Sequence, residues 1–245
     1  MLKPTPILTS LPKPFYSDEW VTIYNADNRD ILPRLNRRFD LGLTDPPYGI
    51  GAAAVKNQSR GKRGFSGKSS AVDYARDYGN HNWDNEPAPM ETINKFISLC
   101  DHSIIFGGNY YPLPASSCWL VWDKDNGESD FSDCELAWTN LPGAVRMIKY
   151  RWNGMLQQDM KNKENRFHPT QKPVPLFSWC IQQAEIKTKS TPLWILDPWA
   201  GSGSVGRAAK DLRFNAILIE RETSYCVKMV ERMAQEVLLL RTSKS

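Results

Sequence analysis

The sequence predicts an α/β fold: a single, mostly parallel sheet with helices on both faces. Three observations carry that expectation. Apolar, strand-like runs alternate with helical segments along most of the 245 residues. The stretch "LWILDPWAGSGSVGRAAKDLRFNAILIE" reads as strand, glycine turn, helix and strand, closing on an acid. And the apolar run in "LGLTDPPYGI" (41–50) stops abruptly at Asp45, Pro46, Pro47 and Tyr48. Neither proline has an N–H for a ladder, so Asp45 and Tyr48 are held on a stiff turn at a strand's carboxyl end. In open α/β sheets that edge is where ligands bind.

The elements follow in order. A proline-rich tail (1–18) precedes a domain spanning 19–245. "VTIY" (21–24) is a first strand, and "NADNRDILPRL" a turn and short helix capped by Asn25, Asp27 or Asn28. A second strand ends at Thr44. Residues 49–90, rich in Gly, Ser and Lys/Arg, break every period and read as a long mobile basic loop. A helix is expected near 91–100, strands at "SIIF" (103–106) and "CWLVW" (118–122), and a short helix near "SDCELAW" (132–138). A strand near "AVRMIKY" (144–150) leads into a polar connector ending "NRFHPTQKP". Then come a helix over 174–187, the strand "LWILD" (193–197), a helix from Ser204 to Leu212, the strand "AILIE" (216–220) and a long terminal helix.

Composition narrows the function. Hydrophobic residues make up 41%, enough for a substantial core, while a net charge of +4 leaves any polyanion partner to be argued from local patches. The five cysteines are widely spaced without a CxxC, which suggests reduced thiols rather than a zinc site or disulfide framework. No apolar run nears the length of a membrane span and prolines interrupt the N-terminus, so a soluble protein of the cytoplasm is expected. No metal is expected; His168, one of three histidines, reads as structural.

In the glycine stretch, Gly201 and Gly203 let a ligand approach the backbone and let the next helix start tightly behind the strand. Glu220 ends the following strand 23 residues after Asp197, where an acid accepts hydrogen bonds from a ribose diol. Turn and acid together point to a nucleoside-containing ligand.

"DPPY", "HPTQKP" and "DPWAGSG", in that order, resemble the β-class of amino DNA methyltransferases, and "FGGNYY", "LVWDK" and "DMKNKENRFHPTQKP" resemble phage and prophage members in particular. The resemblance covers about residues 20–235. It implies a seven-stranded, order-permuted, Rossmann-like sheet and methyl transfer from S-adenosylmethionine to an exocyclic amine in double-stranded DNA. Carried over by motif, Asp45 and the Pro46 carbonyl accept the two N–H bonds of the target amine, with Pro47 stiffening the turn. Tyr48 stacks on a flipped base. The Gly201–Gly203 turn passes under the methionine part of the cofactor beside Asp197 and Trp199, which stands where the family has phenylalanine. Glu220 takes the ribose hydroxyls, Thr170 and Lys172 hold the methionine carboxylate, and Asp27 approaches the adenine amine, although Ala26 stands where a glycine is usual.

Two basic segments flank these motifs. Lys56, Arg60, Lys62, Arg63 and Lys68 fall between Gly51 and Val72 without an acid, and six basic residues, among them Arg151, Lys161 and Lys163, face two acids from Arg146 to Arg166. Beside a base-flipping pocket they are expected to bind phosphates, with Trp83 as a further contact. Target recognition maps to about residues 124–166. Asp at the head of the motif leans toward N6-adenine; N4-cytosine is the nearest alternative, and a catalytically silent DNA-binding protein a further one. A nucleotide-dependent oxidoreductase would explain the glycine turn and Glu220 but neither DPPY nor HPTQKP. Dimers are common in the resembling family, so a homodimer is among the expectations.

Overall fold

The computed structural model describes residues 11–50, 86–126, 132–153, 156–161, 163–164, 171–188 and 194–235. The strands are β1 (Tyr16–Ser17), β2 (Val21–Asn25), β3 (Phe39–Thr44), β4 (Cys100–Phe106), β5 (Trp119–Asp123), β6 (Cys134–Thr139), β7 (Arg146–Lys149), β8 (Trp152–Asn153), β9 (Leu156–Gln157), β10 (Trp194–Asp197) and β11 (Asn215–Glu220). The α-helices are α1 (Asn28–Ile31), α2 (Met90–Ser98), α3 (Val174–Thr188), α4 (Ser204–Asp211) and α5 (Thr223–Met233). Among the described residues, nine strands make one sheet in the order β1-β2-β11-β10-β3-β4-β6-β5-β7, and β8 and β9 form a separate two-stranded ribbon.

Alternation along the inner strands builds a core on each face. Ile195 and Leu218 point into a cluster with Leu176, Phe177 and Ile181 of α3, Val205 and Ala208 of α4 and Met229 of α5. Their neighbours Leu196, Ile217 and Ile219 point the other way, to Ile31 of α1 and Ile93 and Phe96 of α2. Each of these Val, Leu, Ile, Phe and Met side chains, withdrawn from water, contributes about 1.5–3 kcal/mol. The burial is what holds short helices such as the four-residue α1 on the sheet.

Connectivity creates the functional edge. From β10 the chain passes through α4 to β11 on one side, while from β3 it passes through α2 to β4 on the other. The two connections part at the β10–β3 boundary, so a crevice opens at the carboxyl ends of these strands. Asp197 ends β10 and Asp45 follows β3, one on each side of it.

Several expectations need correction. The sheet has nine strands rather than seven, and β2-β11, β11-β10, β10-β3, β3-β4 and β5-β7 are its parallel pairs. β1-β2, β4-β6 and β6-β5 are antiparallel. The two-residue β1 lies inside the segment expected as a tail. The helix expected at 132–138 is strand β6. Its Glu, Leu and Ala favour a helix in isolation, but Cys134, Leu136 and Trp138 alternate with Glu135, Ala137 and Thr139, and β6 is paired on both sides. β6 and β7 place residues 134–139 and 146–149 of the expected recognition region, 124–166, in the main sheet. Residues 51–85 of the expected loop lie outside the described residues.

Candidate active site

The Asp45 turn is braced from the strand end of β4. Tyr111 donates its hydroxyl to the Pro47 carbonyl, which also accepts from the Ala88 N–H at 3.0 Å. Among the described residues, no hydrogen-bond donor reaches the Pro46 carbonyl. Tyr48 donates its hydroxyl to Asp45 Oδ1, and its ring stacks on that of Tyr110, centroids 5.0 Å apart and planes 18° from parallel. Gly107, at φ 63°, presses against the same ring; a Cβ there would overlap it. So "FGGNYY" supplies the bed on which the Asp45 turn rests.

A row of alternating charges meets this turn. Lys172 Nζ pairs with Asp45 Oδ2, lies 3.2 Å from the Tyr48 hydroxyl and 3.0 Å from Glu135 Oε2, while Glu135 Oε1 pairs with Lys124 at 2.6 Å. The Lys172 side chain is 5% exposed and that of Asp45 23%. Burial pushes the Asp45 carboxyl above its ordinary value, and the Lys172 ammonium only partly offsets this. Burial also opposes the charged form of Glu135, but Lys172 and Lys124 outweigh it and hold that carboxyl down to about 2. Lys172 is raised despite burial, because two carboxylates flank it. Burial, and then the charges of Asp45 and Glu135, push the Tyr48 phenol well above its usual value.

Across the β10–β3 boundary, Thr44 Oγ1 donates to Asp197 Oδ1 at 2.7 Å, and the Trp199 N–H donates to the same oxygen at 3.1 Å. Burial raises Asp197 to about 7. The chain then turns through Gly201 and Gly203, both at positive φ, into α4. A Cβ on Gly201 would meet no atom within 4 Å, so the turn faces open space, whereas at Gly203 it would lie 2.6 Å from Met229. Glu220 accepts from the Gly201 N–H at 2.9 Å and the Glu222 N–H at 2.8 Å. Burial nevertheless raises it to about 7. Asn28 Nδ2 ties α1 to this turn through the Pro198 carbonyl at 2.9 Å.

The expected site residues thus form two adjoining groups. Asp45, Pro46, Pro47, Tyr48 and Lys172 meet at one; Asp197, Trp199, Gly201, Gly203 and Glu220 line the other, and the Thr44–Asp197 bond joins them. Asp27 stands at the adjacent strand end, where it caps α1 and holds Arg29 by a fork at 2.9 and 2.6 Å. Lys172, expected to hold the methionine carboxylate, has its ammonium on Asp45 Oδ2. Thr170, Arg60, Lys62, Arg63, Lys68, Trp83 and His168 lie outside the described residues. Arg151, Lys161 and Lys163 are exposed, Arg151 pairing with Asp125 at 2.5 Å. Sequence reasoning missed Glu135, Lys124, Tyr110 and Tyr111. Tyr110 and Tyr111 stand in "FGGNYY" and Lys124 in "LVWDK", stretches to which the sequence alone gives no role, and Glu135 falls in the segment expected as a helix. Among the described residues, no group of three or more His, Cys, Asp or Glu could hold a metal ion, and no helix is long and apolar enough to cross a membrane.

Comparison with known proteins adds to this geometry. Residues 116–231 match a family model described as DNA methylase, a span that holds Glu135, Lys172, the glycine turn and Glu220 but not the Asp45 turn. The chain is 25% identical over 252 residues to the type II methyltransferase M2.LlaDCHI of Lactococcus lactis subsp. cremoris, covering 88% of this chain and 90% of the relative. It is 23% identical to the type II methyltransferase M2.DpnII of Streptococcus pneumoniae, covering 92% and 94%. The fold is shared with the crystal structure of an M1.HpyAVI–SAM complex, at a TM-score of 0.55 and 20% identity over 88% of this chain and all (100%) of that one. It is shared also with the cytosine-N4-specific PvuII DNA methyltransferase, at a TM-score of 0.51 and 14% identity over 95% of this chain and 91% of that one.

Proposed function

We propose that this chain is a DNA methyltransferase that uses S-adenosylmethionine to methylate the N6 amine of an adenine flipped out of duplex DNA. The family match and the two relatives support a DNA methyltransferase; adenine as the target is our own reading, from the aspartate that heads the turn. The observation that carries it is the pairing of a rigid Asp45–Tyr48 turn with an open glycine turn across the switch point of one sheet.

The residues fit the cofactor. The open space over Gly201 admits a ligand against the backbone, and Glu220 offers a buried carboxylate where a ribose diol would donate. Bound there, S-adenosylmethionine supplies a methyl group activated by a sulfonium.

The chain's own contribution is orientation. An aromatic amine is a poor nucleophile because its lone pair is delocalised into the ring. Asp45 and the Pro46 carbonyl, accepting its two N–H bonds, favour a pyramidal nitrogen whose lone pair points at the methyl. The N–CH3 bond then forms as the S–CH3 bond breaks, leaving a thioether, and the methylated amine sheds one proton to Asp45 or water. Positioning of this kind needs neither a covalent enzyme intermediate nor a metal. Tyr48 stacks on the extruded base, and about 1–3 kcal/mol of stacking offsets part of the unstacking cost. Arg60, Lys62, Arg63 and Lys68, with Arg151, Lys161 and Lys163, bind phosphates in this reading.

The test is incubation with S-adenosylmethionine and unmethylated duplex DNA, followed by nuclease digestion and mass spectrometry of the nucleosides. N6-methyldeoxyadenosine that disappears in Asp45→Ala is the expected result. N4-methyldeoxycytidine would overturn the base assignment while keeping the chemistry, and cofactor binding without any methylated nucleoside would favour a silent DNA-binding protein.

A further inference from the structure

Glu135 enters the site from β6, the antiparallel strand between β4 and β5. It lies between two ammonium groups, 2.6 Å from Lys124 and 3.0 Å from Lys172. Lys172 has its root fixed from the cofactor side. Its carbonyl accepts from Ser204 Oγ at 2.9 Å, and the carbonyl of the preceding Gln171 accepts from Trp152 Nε1 at 2.9 Å. The tip of Lys172 nevertheless lies on Asp45 and beside the Tyr48 hydroxyl. A cation this deeply buried stays only where counter-charges meet it, and here there are two.

We propose that Glu135 is a positioning residue for methyl transfer: backed by Lys124, it keeps the Lys172 ammonium shared between its own carboxylate and that of Asp45, so that Lys172 serves the target amine rather than the methionine carboxylate. The proposal rests on the reading of the Asp45 turn as the site of transfer. Its logic is competition for lone pairs. The charge of a second carboxylate 3.0 Å from the ammonium draws it less fully onto Asp45, which keeps acceptor strength for the amine. With Glu135 neutral, Lys172 is left to Asp45 alone and competes with the amine for the same oxygens. Among the described residues, the charged and titratable groups around Asp45 are Tyr48 on its own turn, Lys172 before α3, Glu135 on β6 and Asp197 on β10. Of these, Lys172 and the Tyr48 hydrogen bond favour the ionised carboxylate, while Glu135 opposes it.

The experiment compares wild type, Glu135→Gln and Glu135→Asp in four readouts. These are kcat and KM on duplex DNA, the pH dependence of kcat, cofactor affinity without DNA by calorimetry, and the Lys172 ammonium resonance in lysine-labelled protein. Glu135→Gln is expected to lower kcat at least about tenfold, with cofactor affinity held within about threefold. The acid limb of its kcat profile should move to lower pH, because Asp45 loses the anion that opposes its ionisation. Its Lys172 ammonium signal should vanish at lower pH than in the wild type, and Glu135→Asp should restore most of kcat. Two results would overturn the proposal. One is a cofactor affinity weakened about tenfold or more at unchanged kcat, which assigns Lys172 to the methionine carboxylate. The other is a kcat and pH profile indistinguishable from wild type. Should Glu135→Gln fold poorly, Lys124→Met at the far end of the row must lower kcat in the same direction; an unaltered kcat sinks the idea. A wild type that binds cofactor yet methylates no DNA refutes the reading of the turn. The Lys172 resonance tests the charge row in any case, and a signal indifferent to Glu135→Gln overturns it.

Discussion

Among the described residues, Glu220 is a carboxylate short of donors: two backbone N–H groups reach it, and burial still raises it to about 7. A ribose diol would add O–H donors to its ionised form and pull that value down. The sign follows. Near pH 7 the free protein keeps part of a proton on Glu220, the bound protein keeps less, so binding releases protons. Affinity therefore rises from about pH 5.5 to 8 and levels off above it. Calorimetry in buffers of different ionisation enthalpy should detect the release, and Glu220→Gln should abolish it while weakening cofactor binding at least about tenfold through lost charge-assisted bonds. Pairing without proton release would assign the ribose contact elsewhere. Asp45, Asp197 and Glu220 were legible in the sequence because each closes an apolar run, and a strand end is a place that a pattern specifies. Glu135 was not, since its meaning depends on which strands flank β6. Nor could the chain alone reveal that Asp27 already holds Arg29, so that a ligand must share or displace that fork.

At the scale of elements, the Asp45 turn and the Gly107 turn act as one piece. Proline stiffness in the first and positive φ in the second set two loops face to face, and Tyr110, Tyr48 and Tyr111 fill the gap. Gly107→Ala tests that unit. A left-handed alanine costs about 1–2 kcal/mol, for a fall in melting temperature of about 2–8 °C in a chain of this size. The added methyl also meets the Tyr48 ring, and its displacement should lower kcat at least about tenfold with cofactor affinity nearly unchanged. Equal losses in both would mean that the turn supports the fold alone. The glycine requirement could not be read from "FGG" without knowing what lies against it. By contrast, α4, β10 and β11 were placed to within a residue or two, because strand period, glycine turn and helix period agree there. β6 failed for the opposite reason, as helix-forming residues were overruled by ladders on both sides.

Across the whole molecule, one buried ionic knot ties distant segments to the cofactor turn. Arg232 of α5 is 4% exposed and donates to the Ser202 carbonyl at 3.2 Å and Ser204 Oγ at 3.0 Å. Its other arm meets Glu164 at 2.9 Å, and Glu164 also accepts the Val174 N–H at the start of α3 at 3.1 Å. The last helix, the glycine turn, the connector after β9 and the first turn of α3 are therefore held by two side chains 68 positions apart. Such a pair contributes little net stability against an apolar replacement of both, but losing one partner strands the other. Burial raises the Glu164 carboxyl above its ordinary value and Arg232 only partly offsets this, so without the arginine the burial loses its opposing charge. Arg232→Met should accordingly cost about 3–5 kcal/mol in urea denaturation, with little dependence on salt because the pair is shielded from solvent. Adding Glu164→Gln should recover at least about 1 kcal/mol by removing the stranded carboxylate. Cofactor affinity should fall in Arg232→Met as Ser202 and Ser204 lose their tie, although neither residue of the pair lies among those assigned to the ligand. A double variant no more stable than the single one would show that the two residues stabilise the fold independently, and the knot would not couple the connector to the turn.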